Sequence, residues 1–268
     1  MTNIDNIDQK IGGLLEQLEP ITLEQMEEIR LMNRTDTKFV TTKARLAELL
    51  ALCQGHYYAQ FHCGKKIADY KTTYWDTPDH FFYIEHHNGR SPRQKVRVRT
   101  YMDSDDTFLE IKTKNNHGRT RKKRITVASQ QISAGEVGSM KGEQFTVDSF
   151  LQGIVKRSLA EIKPTVQNRF HRITLVNYGK TERLTIDFDI QFHNYETGRD
   201  NNVGNLVIVE LKRDGNVYSP ILALLRQLRI KPNGFSKYCI GTVMTNPEIK
   251  QNRFKMKMTR LRKISEAN

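Results

Sequence analysis

The stretch SPRQKVRVRTY, residues 91–101, alternates basic side chains with other types and decides the fold class that we predict. Its cations stand at every second position, as Arg93, Lys95, Arg97 and Arg99. Val96 and Val98 lie between them. Successive side chains of a β-strand point to opposite faces. The stretch therefore predicts a strand with one cationic face and one largely apolar face.

The same division into a charged and an apolar face recurs along the chain. Alternating patterns predict eight strands, at residues 34–40, 67–75, 93–101, 107–114, 119–127, 165–175, 183–190 and 206–212. In the last of these, Glu210 and Lys212 oppose Val207, Val209 and Leu211. An antiparallel sheet of this kind has to cover its apolar face, and helices are suited to that role.

The number of strands and the polarity of their faces together predict the architecture. Eight strands are enough to close a barrel around a small ligand. Closure would turn the charged faces inward, and a lumen lined by Arg and Lys is stable only with water or an anion inside. We therefore predict an α+β fold, a closed eight-stranded antiparallel β-barrel with flanking helices, that forms a tunnel for a small polyanion. The alternative is an open sheet whose basic face is solvated or binds nucleic acid.

Helical patterns flank the predicted strands. They cover residues 5–31, 43–52, 147–159 and 218–228. Within the first, Thr22 and Gln25 form a capping box that opens a second helix. The chain accordingly divides into an N-terminal helical segment at residues 1–31, a barrel domain at 32–246 and a basic C-terminal tail at 247–268.

The net charge predicts a polyanionic partner. The chain has 43 Lys and Arg against 30 Asp and Glu, a net charge of +13, and a pI of about 9.6. Nucleic acid, an anionic membrane and polyphosphate all fit this balance. Carboxylates on the cationic faces argue against nucleic acid, because they would repel a phosphodiester backbone; they are Asp36, Glu110, Asp187, Asp189 and Glu210. No aromatic platform interleaves the cations either. Nucleic-acid binding by the basic tail alone stays a third possibility.

Cysteine content and hydropathy predict the compartment. Cys53, Cys63 and Cys239 show no C-x-x-C spacing, which favours free thiols in a reducing cytoplasm. The first residues, MTNIDNIDQK, lack the basic and apolar regions of a signal peptide, and no apolar stretch approaches the roughly 20 residues that span a bilayer. We expect a cytoplasmic protein, and the sequence identifies no membrane-protein partner.

With these faces assigned, seven segments carry a resemblance to a known family. They are RTDTKFV (34–40), YWDTPDHFFYIEHHNGRSPRQKVRVRTY (74–101), FLEIKTK (108–114), NRFHR (168–172), RLTIDFDI (183–190), VIVELK (207–212) and GFSKY (234–238). In this order the chain resembles the vacuolar transporter chaperone (VTC) domain, the polyphosphate-polymerase branch of the triphosphate tunnel metalloenzyme (CYTH-like) superfamily.

The resemblance implies a tunnel that binds a triphosphate or a longer phosphate chain together with Mn²⁺ or Mg²⁺, and that adds the terminal phosphoryl group of ATP to a growing polyphosphate. The residues in catalytic positions would be Lys38, Arg97, Arg99 and Arg169. Further phosphate ligands would be Lys112, Lys114, Arg183, Lys212, Ser236 and Lys237. Glu210 would hold the metal. ATP and polyphosphate would then be the partners.

Three positions depart from the family pattern and keep other activities open. The first strand reads Arg34-x-Asp36-x-Lys38, where the superfamily typically has Glu-x-Glu-x-Lys. Gln167 stands where the polymerases often place Tyr, and Gly234 where a basic residue is common, although Lys231 is a candidate to compensate. The alternatives are a tripolyphosphatase of the same fold, in which water is the acceptor, and a non-catalytic module that binds polyphosphate or inositol phosphate.

Overall fold

The structure is a computed structural model that describes residues 3–27, 29, 34–117, 119–127, 150, 152, 154–155, 162–215 and 217–266. Its strands form a single sheet. They are β1 (Glu19–Ile21), β2 (Arg34–Thr42), β3 (Tyr57–Gln60), β4 (Ile67–Asp76), β5 (Arg93–Tyr101), β6 (Asp106–Lys114), β7 (Thr120–Thr126), β8 (Lys163–Asn177), β9 (Glu182–Asn194), β10 (Asp200–Asn202) and β11 (Leu206–Asp214).

The long strands follow the order β2-β11-β9-β8-β4-β5-β6-β7. Every pair along this path is antiparallel. All eight strands predicted from alternation lie on it, so that prediction is confirmed. The three other strands of three or four residues were not predicted, because so short a stretch carries no readable period; β3 pairs with β8 and β1, and β10 pairs with β9.

The predicted closure of the barrel is wrong. Within the described part of the chain, β2 and β7 lie at the two ends of the strand order and do not pair with each other. A closed barrel needs a hydrogen-bonded ladder between its end strands. β7 instead has the character of an edge strand: its segment TRKKRIT is almost wholly exposed and carries cations on both faces. The sheet nevertheless curves, since Asp36 of β2 and Lys122 of β7 line one cavity.

Helices flank this sheet, as predicted. They are α1 (Asn3–Glu16), α2 (Leu23–Glu27), α3 (Lys43–Cys53), α4 (Phe81–His87), α5 (Pro220–Gln227), α6 (Lys237–Thr245) and α7 (Lys255–Glu266), with a 3₁₀ turn at Asn252–Phe254. The capping box is present, since the Thr22 amide donates to Gln25 Oε1 at 2.9 Å and the Gln25 amide donates to Thr22 Oγ1 at 3.4 Å. The helix predicted at 147–159 falls mainly outside the described residues.

Two groups of helices cover the apolar face of the sheet. α1, α3 and α5 pack on β9 and β11, where Leu46 and Leu50 lie buried with Ile186 and Val209. α4 covers β5 and β6: its Phe82 contacts the cluster that contains Val96, Val98, Leu109 and Ile111. The apolar half of the alternation in β5 therefore faces outward into a core, and its cations face the concave side.

The basic C-terminal segment forms a docked helix. Leu261 of α7 is 3% exposed and belongs to a cluster with Val40 of β2 and Ile208 of β11. α7 thereby covers the end of the sheet at which β2 and β11 pair. Among the described helices, none combines the length and the apolar character that crossing a membrane requires.

Candidate functional site

The concave side of the sheet encloses two adjoining cavities, of about 360 and 670 Å³. Residues lining both are Asp36, Arg97, Arg99, Lys112, Thr120, Arg172 and Lys212. The two cavities adjoin at these residues, and we call them together the basic channel. The smaller cavity reaches Ser236 and Lys237 at the start of α6, and the larger one reaches Asp103 and Asp106 near the β5–β6 turn.

The structure brings together ten of the eleven side chains that the sequence assigns to the site. Those in the smaller cavity are Lys38, Arg97, Arg99, Lys112, Lys114, Glu210, Lys212, Ser236 and Lys237. Arg183 lines the larger cavity. Strand alternation on β2, β5, β6, β9 and β11 places nearly all of them, and α6 supplies the last two. Their roles toward a ligand stay predictions.

Arg169 is the exception, and its assignment to the channel is corrected here. Its side chain is exposed and lines a separate cavity of about 300 Å³ with Asp69 and His171. Residues 170 and 172 differ from it in strand parity, and Arg172 lines the channel. An irregularity of the β8–β9 register lies between Arg169 and His171. The last Arg of the NRFHR segment is therefore the channel residue.

Arg172 is held by a buried carboxylate. Its Nε and Nη2 donate to the two carboxylate oxygens of Asp187 at 2.6 and 2.8 Å, and Lys237 forms an ion pair with the same group. Burial opposes ionisation of Asp187, but Arg172 and Lys237 outweigh it and keep its pKa well below the usual range. Asp187 thus fixes two channel cations. Asp189, on the contrary, pairs with Lys43 at 2.7 Å and lies outside the channel.

Arg97 is fixed in the same way by Glu110. Its Nε and Nη2 lie 2.7 and 2.5 Å from Glu110 Oε2, while Lys122 Nζ lies 2.9 Å from Oε1. Burial opposes ionisation of Glu110, yet Arg97, Arg99 and Lys122 hold its pKa well below the usual range. These ion pairs pre-position the Arg97 guanidinium in the channel before a ligand binds.

Among the described residues, neither Arg99 nor Lys112 forms a direct ion pair with a carboxylate. Arg99 Nε donates to Thr72 Oγ1 at 3.1 Å, and the Arg99 guanidinium lies 5.4 Å from the Tyr70 ring centre. Burial, with repulsion from Arg97 and Arg172, lowers the pKa of Arg99 to about 10. Repulsion from Arg97, with burial and Arg99, lowers the pKa of Lys112 to about 6. At neutral pH the channel therefore holds charged arginines around a largely neutral lysine.

Arg93, Lys95 and His86 also line the channel, and they are absent from the predicted site. Lys95 Nζ donates to Ser236 Oγ at 3.0 Å, which links β5 to the N-cap of α6. Burial, with Lys95, Arg93 and Lys114 close by, lowers the pKa of His86 to about 2. The alternation of residues 91–101 already placed the two cations on this face. His86 lies on α4, and no comparable pattern assigned it to the channel.

Glu210 is the candidate metal ligand. It forms an ion pair with Lys38, and its Oε2 lies 3.9 Å from Lys212 Nζ, beyond hydrogen-bond length. Burial opposes its ionisation, but Lys212, Lys38 and Arg172 hold its pKa well below the usual range. In the described ranges no group of three acidic, His or Cys side chains converges as a metal site would require. This donor set does not fit an all-protein site, but it fits Mg²⁺ or Mn²⁺ held by one carboxylate together with phosphate oxygens.

Fold and site together define an α+β domain built on a curved antiparallel sheet with a cation-lined interior. The sequence profile of the VTC domain family matches residues 33–246, and the chain belongs to this family. No curated protein sequence is similar enough to count as a match.

Several solved structures are similar to parts of this fold. A structural-genomics target from Vibrio parahaemolyticus is 12% identical, with a TM-score of 0.44 and coverage of 79% of this chain and 99% of its own. HpAC1 from Hippeastrum, described by a dominant triphosphatase activity, is 15% identical, with a TM-score of 0.48 and coverage of 80% of this chain and 97% of its own. The S. pombe RNA triphosphatase Pct1 is 7% identical, with a TM-score of 0.30 and coverage of 98% of this chain and 93% of its own. All of these TM-scores lie below 0.5, so the likeness carries no functional argument.

Proposed function

We propose that this VTC domain transfers the terminal phosphoryl group of ATP to a polyphosphate chain that lies in the basic channel. The observation that carries the proposal is the convergence, on two adjoining cavities, of Arg and Lys side chains from β2, β5, β6, β8, β9, β11 and α6. A linear phosphate chain repeats its charge along its length and can contact such a passage throughout, whereas a single phosphate cannot.

Arginine and lysine would divide the work. The Arg97, Arg99 and Arg172 guanidinium groups cannot lose their charge at neutral pH and can donate two hydrogen bonds to one phosphate group. Since Glu110 and Asp187 orient two of them, little ordering cost would remain on binding. Lys38, Lys114 and Lys237 would supply point charges nearer the α6 end. Lys112 would take up a proton as the anion enters.

The chemistry needs no nucleophile from the protein. A terminal oxygen of the chain would attack the γ-phosphorus of ATP, forming a P–O bond, while the bond from that phosphorus to the β–γ bridging oxygen breaks and ADP leaves with the electron pair. The attacking oxygen is already anionic, so no general base is required. Positioning and electrostatic stabilisation supply the catalysis.

Glu210, with phosphate oxygens, would hold a divalent cation. A bound Mg²⁺ or Mn²⁺ neutralises charge on the phosphates and polarises the phosphorus under attack. Glu210 itself would keep Lys38 oriented toward the same phosphates, because the two side chains form an ion pair across the β11–β2 ladder.

A tripolyphosphatase is the second candidate, and one observation favours it. The end strands β2 and β7 are not paired with each other over their described lengths, which leaves the sheet open between them and accessible to water as an acceptor. A binding module that grips polyphosphate without turning it over would share every anion contact and differ only in the absence of product.

Phosphorus NMR on the purified protein separates these functions. We expect that incubation with ATP and Mn²⁺ produces ADP together with the resonance of interior chain phosphates. Growth of orthophosphate alone would identify a hydrolase, and an unchanged spectrum alongside measurable tripolyphosphate binding would identify a binding module. Either of the last two results would contradict the polymerase proposal. Protein with Arg97→Ala and Arg99→Ala serves as the control for a contaminating kinase.

A further inference from the structure

A groove of about 600 Å³ lies on the outer surface, between β2, α3, the loop that follows α5, and α7. Its lining comprises Val40, Thr41, Thr42, Arg45, Leu228, Arg229, Ile230, Lys231, Pro232, Asn233, Arg260 and Ile264. No residue of this set lines either cavity of the basic channel. The groove, which we call the α3–α7 groove, is therefore a separate concavity of the molecule.

We infer that the α3–α7 groove binds an amphipathic anion, a phosphate or carboxylate head group that carries an aliphatic body. The partly exposed Leu228 and Ile264 offer the body an aliphatic surface, and the buried Val40 and Ile230 complete the apolar lining. Cations at the rim offer the head group charge-assisted hydrogen bonds. Polyphosphate has no apolar part and would leave that surface in water, so this inference does not rest on the proposed function.

The polar groups of the groove select for an anion. Four of its side chains are cationic, and no carboxylate belongs to the described lining. Arg45 is already paired with Glu48 at 2.6 Å. Among described residues, Arg229, Lys231 and Arg260 have no acidic partner within 4 Å, and all three are exposed. Three uncompensated donors beside an apolar surface are complementary to a head group that only accepts hydrogen bonds.

An unsatisfied buried amide points in the same direction. Asn233 lines the groove and is only 7% exposed, and its Nδ2 finds no hydrogen-bond partner in the structure. Buried polar groups are rarely left without a partner, and an exception calls for an explanation such as a missing ligand or water. Nδ2 is a donor, so it too calls for an acceptor atom.

The loop that presents these groups is fixed to the sheet. The backbone N–H of Asn233 donates to the Lys38 carbonyl oxygen at 2.8 Å, and Pro232 forms an isolated β-bridge with Phe39 of β2. Arg229 adopts a left-handed backbone conformation, with φ of 57°, at the end of α5. These contacts hold the loop in place on β2, so the groove exists before a ligand arrives, and binding would not have to order it.

Calorimetry with dodecyl phosphate, below its micelle concentration, tests the inference. The titration is run with the channel saturated by tripolyphosphate, so that a head group cannot enter it. We expect saturable binding that orthophosphate and dodecyltrimethylammonium do not reproduce. Arg229→Ala and Lys231→Ala should each weaken it by about tenfold, the size of one lost charge-assisted hydrogen bond. Lys263→Ala is the matched control, because this exposed cation of α7 does not line the groove.

The same variants distinguish a free amphiphile from a lipid in a bilayer. Sedimentation with phosphatidic acid vesicles that fails in Arg229→Ala but not in Lys263→Ala would assign a membrane lipid as the ligand; binding of monomeric dodecyl phosphate alone would assign a free amphiphile. Both results support the site. Displacement of dodecyl phosphate by tripolyphosphate, equal binding of dodecyltrimethylammonium, or unchanged affinity of both Ala variants would overturn it.

Discussion

Arg97 and Arg99 stand two positions apart on β5, yet the protein surrounds them differently. Arg97 satisfies the buried Glu110, whereas Arg99 faces Thr72 and two aromatic rings and is repelled by Arg97 and Arg172. Both belong to the proposed phosphate path. Because their partners differ, we expect the two arginines to contribute differently to the stability of the fold although both contribute to binding.

Replacing each arginine by methionine should reveal this difference. We expect both variants to lose turnover. Arg97→Met leaves Glu110 with Lys122 alone and should lower the free energy of unfolding by about 3–5 kcal/mol, the range for breaking a buried ion pair. Arg99→Met should stay within about 1 kcal/mol of the wild type, because it relieves repulsion while losing cation–π contacts. Urea unfolding measures both, and equal destabilisation would refute the distinction.

Lys112 gives ligand binding a pH dependence. Its pKa of about 6 leaves it mostly neutral in the empty channel at neutral pH, and a bound polyanion would raise that pKa. Between pH 7 and 8 we therefore expect tripolyphosphate binding to take up a proton, and affinity to fall as the pH rises. Calorimetry in two buffers of different ionisation enthalpy, without divalent metal, measures this uptake. A Lys112→Met variant should take up correspondingly less, and identical uptake by the variant would exclude Lys112 as the source.

The same lowered pKa has a consequence for stability. Lys112 binds its proton less tightly in the folded protein than in the unfolded chain, whose lysines titrate near 10.5. Its contribution to the free energy of unfolding therefore decreases as the pH falls from about 10.5 towards 6.

Glu210 can be tested apart from the cations around it. Glu210→Gln keeps the shape of the side chain but removes its charge, so we expect turnover in Mn²⁺ to fall by about 100-fold, the scale of one lost electrostatic group. Tripolyphosphate affinity without metal should be unchanged or higher, since a negative charge leaves the channel. Glu48→Gln, an exposed carboxylate of α3, is the control. Full turnover in Glu210→Gln would eliminate Glu210 as the metal ligand.

At the scale of the element, alternation was a reliable guide where a strand is regular. In β5 it placed Arg97 and Arg99 inward and Val98 outward, as the structure shows. In β8 the segment NRFHR offers two arginines of opposite parity, and the family motif selected the wrong one. Only the pairing of β8 with β4 and β9 reveals which arginine faces Asp187. The short helix α6 was missed because its nine residues give too little periodicity.

The two arginines of β8 make a matched pair of variants. Arg169→Ala should leave turnover and tripolyphosphate affinity unchanged, because Arg169 is exposed outside the channel. Arg172→Lys should lose most of the turnover, since lysine keeps the charge but cannot form the bidentate contact with Asp187. Steady-state kinetics on both variants compares them directly. Loss of activity in Arg169→Ala together with normal activity in Arg172→Lys would restore the motif-based assignment.

At the scale of the whole molecule, composition predicted the type of partner and strand count predicted a sheet, but neither could determine closure. Closure depends on strand tilt and stagger, which are properties of pairing rather than of any one strand. The sequence of β7 shows cations on both faces of the strand, a pattern typical of an exposed edge strand. A count of eight strands does not take this pattern into account.

Clustered cations should make the folded state depend on an anion. Tripolyphosphate at 100 times its dissociation constant should raise the free energy of unfolding by about 2.7 kcal/mol. A chain of this size would then melt about 5–11 °C higher. Thermal unfolding at constant ionic strength measures the shift, and sodium chloride is the control. An equal shift from sodium chloride would mean general screening of charge and no bound ligand.

The unpaired ends of the sheet also have a mechanical meaning. In a closed barrel the strands form a hoop, and its bore cannot change unless hydrogen bonds break. Here β2 and β7 have no ladder between them over the residues described, so the wall can spread or tighten by bending alone. The width of the phosphate chain that we propose to bind there, rather than a closed ring of hydrogen bonds, would then set how wide the channel opens.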